Sequence, residues 1–185
     1  MQFRLELAPN GLTHFSTDAM SSPAFPFHDE SAALVHAPID RVFARLDDPM
    51  SLAAHMGESS MMMMGSRMSM EVDAGGGRVI GSKISMHGSV MGTPVSLEEV
   101  VTERQPPGKK LWETTGTPKL LVMAHYRMGF ELTPKGESSL LRVFIDYSLP
   151  ATTPGSWLGR LFGGVYARWC TKRMVDDAVR HFKST

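Results

Sequence analysis

Residues 120–132 read LLVMAHYRMGFEL, residues 133–138 read TPKGES, and residues 139–149 read SLLRVFIDYSL. Two segments that alternate apolar and polar residues flank a centre of Pro, Gly and Ser, which is the pattern of a β-hairpin. Placing Glu131 opposite Arg142 also places Arg127 opposite Asp146, so both outward pairs are charge-complementary. The same register sets Phe130 by Val143, Met128 by Ile145 and Tyr126 by Tyr147 on the inner face. A register that satisfies both faces is well determined, because a slip of one residue turns every side chain over.

Upstream of the hairpin the chain continues in short segments bounded by Gly or Pro, as antiparallel strands are. MMMMGSRMSMEVD (61–73) puts Met68, Met70 and Val72 on one face. VIGSKISMHGSVM (79–91) opposes Ile80, Ile84 and Met86 to Lys83, Ser85 and His87. VSLEEVVTER (95–104), the turn QPPGK and KLWETTG (110–116) follow. Before these strands, ESAALVHAP (30–38) reads as a strand, and PIDRVFARLDDP (38–49) as a helix with Ile39, Val42, Phe43 and Leu46 at helical spacing. MSLAAHM (50–56) reads as a second short helix.

Downstream, residues 154–183 read as one long helix. Leu158, Leu161, Phe162, Val165, Trp169, Val175, Val179 and Phe182 form its apolar stripe. At about 1.5 Å per residue it spans roughly 40 Å, enough to cross a small sheet. Gly159, Gly163 and Gly164 cluster in its first half. Each Gly costs about 1 kcal/mol against Ala, so the cluster implies either a hinge that admits a ligand or a close approach to the sheet. The fold class is therefore α+β, a curved antiparallel sheet of six to seven strands with two short helices after the first strand and a long C-terminal helix.

The 185 residues suit one domain with a sizeable core. Residues 1–28, rich in turn residues and Pro, read as an N-terminal extension, and 29–185 as the domain. Lys+Arg and Asp+Glu are each 19, so there is no basic footprint for nucleic acid. Cys170 is the one cysteine, so no internal disulfide forms. With no signal-peptide pattern at the start and no run near the ~18 apolar residues of a membrane span, the expectation is a cytoplasmic protein. Nothing in the sequence specifies an oligomeric state.

HAPIDRVFARLDDPMSLAAHM (36–56), VVTERQPPGKKLWE (100–113) and the amphipathic C-terminal helix together resemble the SRPBCC superfamily, the START-like helix-grip proteins. Within it they are most similar to the polyketide cyclase/dehydrase and lipid transport branch. The resemblance covers about residues 29–184. It implies a cavity between sheet and C-terminal helix that takes a lipid-like, polyketide or aromatic molecule, with no cofactor and no catalytic motif common to all members.

On that fold Met68, Met70, Ile84, Met86, Trp112, Tyr126, Met128, Tyr147, Phe162 and Trp169 are the expected cavity wall. Met is unbranched and polarizable and fits varied apolar partners, although ordinary core packing uses it equally. Glu98 and Glu99 are adjacent, so one must face inward on a regular strand, where its pKa would rise; a β-bulge would put both at the surface. Glu99 and His55 are the candidate polar groups, and His87 and His125 fall on the outer face. His14, His28, His36 and His181 have no partner pattern. The run Met61–Met64 lacks the His or Cys that a soft metal site recruits, so it implies no metal. It reads instead as a lip at the cavity mouth or as a contact surface. Three functions remain on these residues: carrier or sensor of a hydrophobic molecule, cyclase/dehydratase-type enzyme, and assembly or co-chaperone module.

Overall fold

The computed structural model describes residues 25–51, 67–90, 92–150 and 156–183. Strands β1 (Phe27–Val35), β2 (Arg67–Val72), β3 (Lys83–Val90), β4 (Thr93–Gln105), β5 (Lys109–Lys119), β6 (Tyr126–Lys135) and β7 (Ser138–Tyr147) form one sheet. Its order is β1-β7-β6-β5-β4-β3-β2, and every neighbouring pair is antiparallel. Helix α1 (Ile39–Leu46) follows β1, and residues 49–51 begin a second helix whose continuation lies outside the described residues. Helix α2 (Ser156–Lys183) ends the chain.

The β6–β7 hairpin has the register expected from its sequence, with Glu131 facing Arg142, Arg127 facing Asp146 and Tyr126 facing Tyr147. Gly136 takes φ +62° in the two-residue turn, a conformation that side chains other than Gly resist. The ion pairs differ in part from the pairing. Arg142 does bridge to Glu131 at 3.0 Å, but Arg127 reaches Glu113 on β5 at 2.6 Å, and Asp146 takes His28 of β1 at 2.6 Å. Residues 120–125, expected as the start of the strand, form the β5–β6 connection, tied by Ala124 N–H to Ser148 O and Ser148 N–H to His125 O. On the outer face Gly129 lies under Leu111. A Cβ there would sit 2.4 Å from Leu111 Cδ2 and 2.6 Å from Lys110 O. Because one contact is backbone, Gly129→Ala is expected to cost about 1–3 kcal/mol of unfolding free energy in urea denaturation.

Three expectations need correction. Ile80, placed on the inner face of a strand, lies in the turn before β3 and is 65% exposed. The first strand begins at Phe27, so the sheet takes in Phe27 and His28, which had been assigned to the extension. Most consequential is the face of α2. Phe162 and Val165, placed in its apolar stripe, are 46% and 56% exposed. The buried line is Gly163, Ala167, Thr171, Met174, Val175 and Ala178. Small residues let the helix lie close on β1 and β7, its nearest strands. Gly163 is as close to the segments flanking the sheet, since a Cβ there would come within 2.6 Å of Leu149 Cδ2, just after β7, and 3.2 Å of Val122 O in the β5–β6 connection. Thr171, a polar residue in a sequence stripe, is wholly buried because it is fully bonded: its hydroxyl donates to Asp29 Oδ2 at 2.8 Å and lies 3.0 Å from Ser31 Oγ.

α1 is held over the other end of the sheet. Val42, Phe43 and Leu46 are buried, and Phe43 meets Phe130 edge-on. Asp47, which caps the C-terminus of α1, is buried with Lys110 of β5. Lys110 Nζ donates to Asp47 Oδ1 at 2.9 Å and to Asp47 O at 2.8 Å, while Arg104 donates to the same carboxylate at 2.7 Å. Burial alone pushes the Asp47 carboxyl up, but its bonds to Arg104 and Lys110 outweigh this and hold it below its ordinary value. Burial lowers the Lys110 ammonium by more than Asp47, which it shares with Arg104, restores.

Candidate functional site

α2 approaches β1 and β7, while β2 to β5 make no comparable backbone contact with it among the described residues. On that half of the sheet the inner face stands farther from the helix backbone. One row of paired residues crosses it: Ile84 on β3, Glu99 on β4 and Thr114 on β5. Tyr126 on β6 continues the row through its N–H to Thr114 Oγ1 at 3.1 Å, and Tyr147 on β7 follows. Val95, Leu97, Glu99 and Val101 of β4 alternate inward, so Glu99 is 4% exposed. A bulge does precede Glu98, but the alternation survives it: Glu98 stays outside, 3.0 Å from Lys83 Nζ, and Glu99 stays in.

A carboxyl in such a place needs partners. The Tyr126 hydroxyl donates to Glu99 Oε1, and the Trp112 indole lies near the carboxyl. Burial pushes Glu99 up to about 7; Tyr126, Trp112 and the charge of Lys110 pull the other way and do not restore it. Burial and the adjacent Glu99 raise the Tyr126 phenol well above its ordinary value. From α2, Tyr166 and Cys170 meet this group, and the Tyr166 phenol is raised by Cys170, burial and the charge of Glu99. Burial pushes the Cys170 thiol up to about 12, so it remains a thiol and no nucleophile.

The walls around this polar group are apolar. Ile84, Met86 and Leu97 are buried together, with Met70, Leu120 and Tyr126 packed on them. Trp112, Met128 and Tyr147 are buried in the larger core beside them, which also packs on Leu120 and Tyr126. Tyr126 thus joins two apolar clusters and carries the bond to Glu99. Trp169 is half-buried and stacks on Tyr166, with centroids 5.8 Å apart.

Of the residues singled out in the sequence, the structure therefore gathers Met70, Ile84, Met86, Glu99, Trp112, Tyr126, Met128 and Tyr147 on the inner face. Phe162 is turned outward and is withdrawn from the wall. Met68 of β2 is paired with Gly88 of β3. His55 and Met61–Met64 lie outside the described residues. Sequence reading missed Thr114, Lys110, Tyr166 and Cys170. The strand period of two counted back from Trp112 would have found Lys110, and counted forward Thr114. Tyr166 and Cys170 are spaced i, i+4 on the helix, a signal hidden by choosing the wrong face. Among the described residues no group of three His, Cys, Asp or Glu side chains is placed to hold a metal.

An open curved antiparallel sheet, short helices after its first strand and a long C-terminal helix define the helix-grip fold. Residues 28–185 match the family described as polyketide cyclase / dehydrase and lipid transport, and the chain belongs to that family. No curated protein matches the sequence. Among solved structures the aromatase/cyclase Zhui from Streptomyces sp. R1128 is similar, at 14% identity and TM-score 0.64, over 85% of this chain and 93% of that one. Norcoclaurine synthase from Thalictrum flavum gives 16% identity and TM-score 0.59 over 96% and 97%. A Thermus thermophilus protein gives 17% and 0.58 over 83% and 98%. At these identities the likeness is one of fold. No helix among the described residues is long and apolar enough to cross a membrane.

Proposed function

We propose that this protein binds a hydrophobic small molecule between α2 and the β3–β6 half of the sheet, as a carrier or sensor. The apolar body of the ligand would lie on Ile84, Met86, Leu97 and Met128, and its polar group would reach Glu99 and Tyr126. The observation that carries this reading is Glu99 itself. A buried carboxyl raised to about 7 costs stability that an apolar residue would not, and such costs concentrate where ligands are handled. Burial of the ligand's apolar surface, worth about 25 cal/mol per Å², would supply the affinity, and the polar group its orientation.

The same residue favours one second reading, an enzyme of the cyclase or dehydratase kind. A carboxyl poised near neutral pH exchanges protons readily in both directions and suits a general acid–base. Two structural neighbours carry the names of enzymes, which agrees with this reading as well.

Native mass spectrometry of freshly purified protein, with solvent extraction of what it releases, tests the binding reading. A one-to-one apolar passenger, or one-to-one uptake from a panel of lipids and aromatic compounds, is the expected result. A bare chain mass with no uptake from the panel overturns it.

A further inference from the structure

We infer that the ligand's buried polar group is an uncharged hydrogen-bond acceptor, a ketone, aldehyde or ester, and that free carboxylates such as fatty acids are rejected. This rests on the binding reading above and narrows it to a chemical class. The geometry that carries it is the occupancy of the two carboxyl oxygens of Glu99. Oε1 is held by the Tyr126 hydroxyl, while no hydrogen bond among the described residues reaches Oε2. Glu99 is buried, so Oε2 is a polar atom open to a partner. A proton carried on Oε2 is free for a ligand oxygen.

The surroundings exclude an anion for a second reason. The groups facing Glu99 are Ile84 from β3, Thr114, Trp112 and Lys110 from β5, Tyr126 from β6, and Tyr166 and Cys170 from α2. Lys110 is the cation among them, and its ammonium is bonded twice to Asp47, which Arg104 also holds. Among the described residues a ligand carboxylate would therefore meet a second carboxyl, two neutral phenols and a neutral thiol, with no uncommitted cation facing Glu99. Burying an unpaired charge is far more costly than burying a carbonyl that receives one hydrogen bond.

The test uses two probes that share an apolar body and differ in the polar group: 2-acetylnaphthalene, a ketone, and 2-naphthoate, a carboxylate. Affinities are measured by calorimetry at pH 6.0 and 8.5, on wild type and on Glu99→Gln. Wild type is expected to bind the ketone at least about tenfold more tightly than the carboxylate at both pH values, and to weaken for both as Glu99 ionises. In Glu99→Gln the pH dependence should vanish and 2-naphthoate should gain about tenfold at pH 8.5, because the like charge is gone. The pH arm on wild type needs no variant and stands even if the substitution does not fold. Binding of 2-naphthoate within threefold of the ketone, or an unchanged ratio in Glu99→Gln, overturns the charge selection and leaves the binding reading standing. Failure of wild type to bind either probe, joined to a negative lipid and aromatic panel, overturns both.

Discussion

Glu99→Gln is expected to be more stable than wild type at pH 8 and close to wild type at pH 4, so that the gap widens by about 3 kcal/mol across this range. The effect follows from where the proton resides. Burial raises Glu99 from an ordinary 4.5 to about 7 in the folded state, whereas the unfolded chain restores the ordinary value. Between these values the folded protein holds a proton that the unfolded chain releases. Stability contributed by the protonated form is complete below the unfolded value and is lost as pH rises through the folded one. Glutamine has the size and the acceptor for Tyr126 and cannot ionise, so this loss disappears. Groups common to both proteins cancel in the difference. Urea denaturation of the two proteins at a series of pH values measures the gap, and parallel stability curves would refute the account. For the uncharged ketone at pH 6.0 the same variant is expected to be the poorer binder, since a site that handles ligands at a cost in stability is relieved of both together.

Asp47→Ala is expected to lower the unfolding free energy by about 3–5 kcal/mol, several times what the loss of an exposed ion pair would bring. Asp47 is 5% exposed and Lys110 is 1% exposed. Without the carboxylate the Lys110 ammonium keeps only the carbonyl oxygen of residue 47, and Arg104 loses its bidentate partner. The energetic weight lies in the stranded charge rather than in the lost attraction. Lys110→Met should therefore cost much less, because Arg104 continues to neutralise Asp47 and Met fills the channel left by the lysine stem. Adding Lys110→Met to Asp47→Ala should recover part of the loss, and a double-mutant cycle in urea denaturation reads the coupling directly. Equal losses from both single substitutions would show that the pair stabilises as an attraction instead.

Much of the fold was legible because its elements carry two independent constraints. The β6–β7 hairpin had to match charges on one face and apolar residues on the other, and only one register did both. The strand period likewise placed Trp112, Met128 and Tyr126 inward, and it left Glu99 as one of two candidates for the interior. The bulge before Glu98 made that choice depend on structure. The face of α2 was misread for a physical reason. Hydrophobic size singled out Phe162 and Val165, but the helix packs by closeness, which selects Gly163, Ala167 and Ala178, and by a fully bonded Thr171. Tyr166 went unnoticed with that face, and Cys170 was seen as the one cysteine but given no place at the site. Ile80 was misplaced because a turn, with Gly81 at φ +86°, interrupts a segment that alternates as a strand would. The Asp47–Arg104–Lys110 cluster joins residues more than fifty positions apart, and no local pattern could announce it.

Everything proposed for the site turns on Glu99 being a proton-carrying carboxyl at the place where an uncharged apolar molecule binds. Carbon-13 spectroscopy of the side-chain carboxyl carbons, recorded against pH with and without 2-acetylnaphthalene, tests it most directly. The account predicts one glutamate with a midpoint near 7, absent from Glu99→Gln, that moves to still higher pH when the ketone is added, since the ligand favours the protonated form. A Glu99 signal that titrates in the ordinary carboxylate range, or a midpoint near 7 that the bound ketone leaves unmoved, would contradict it.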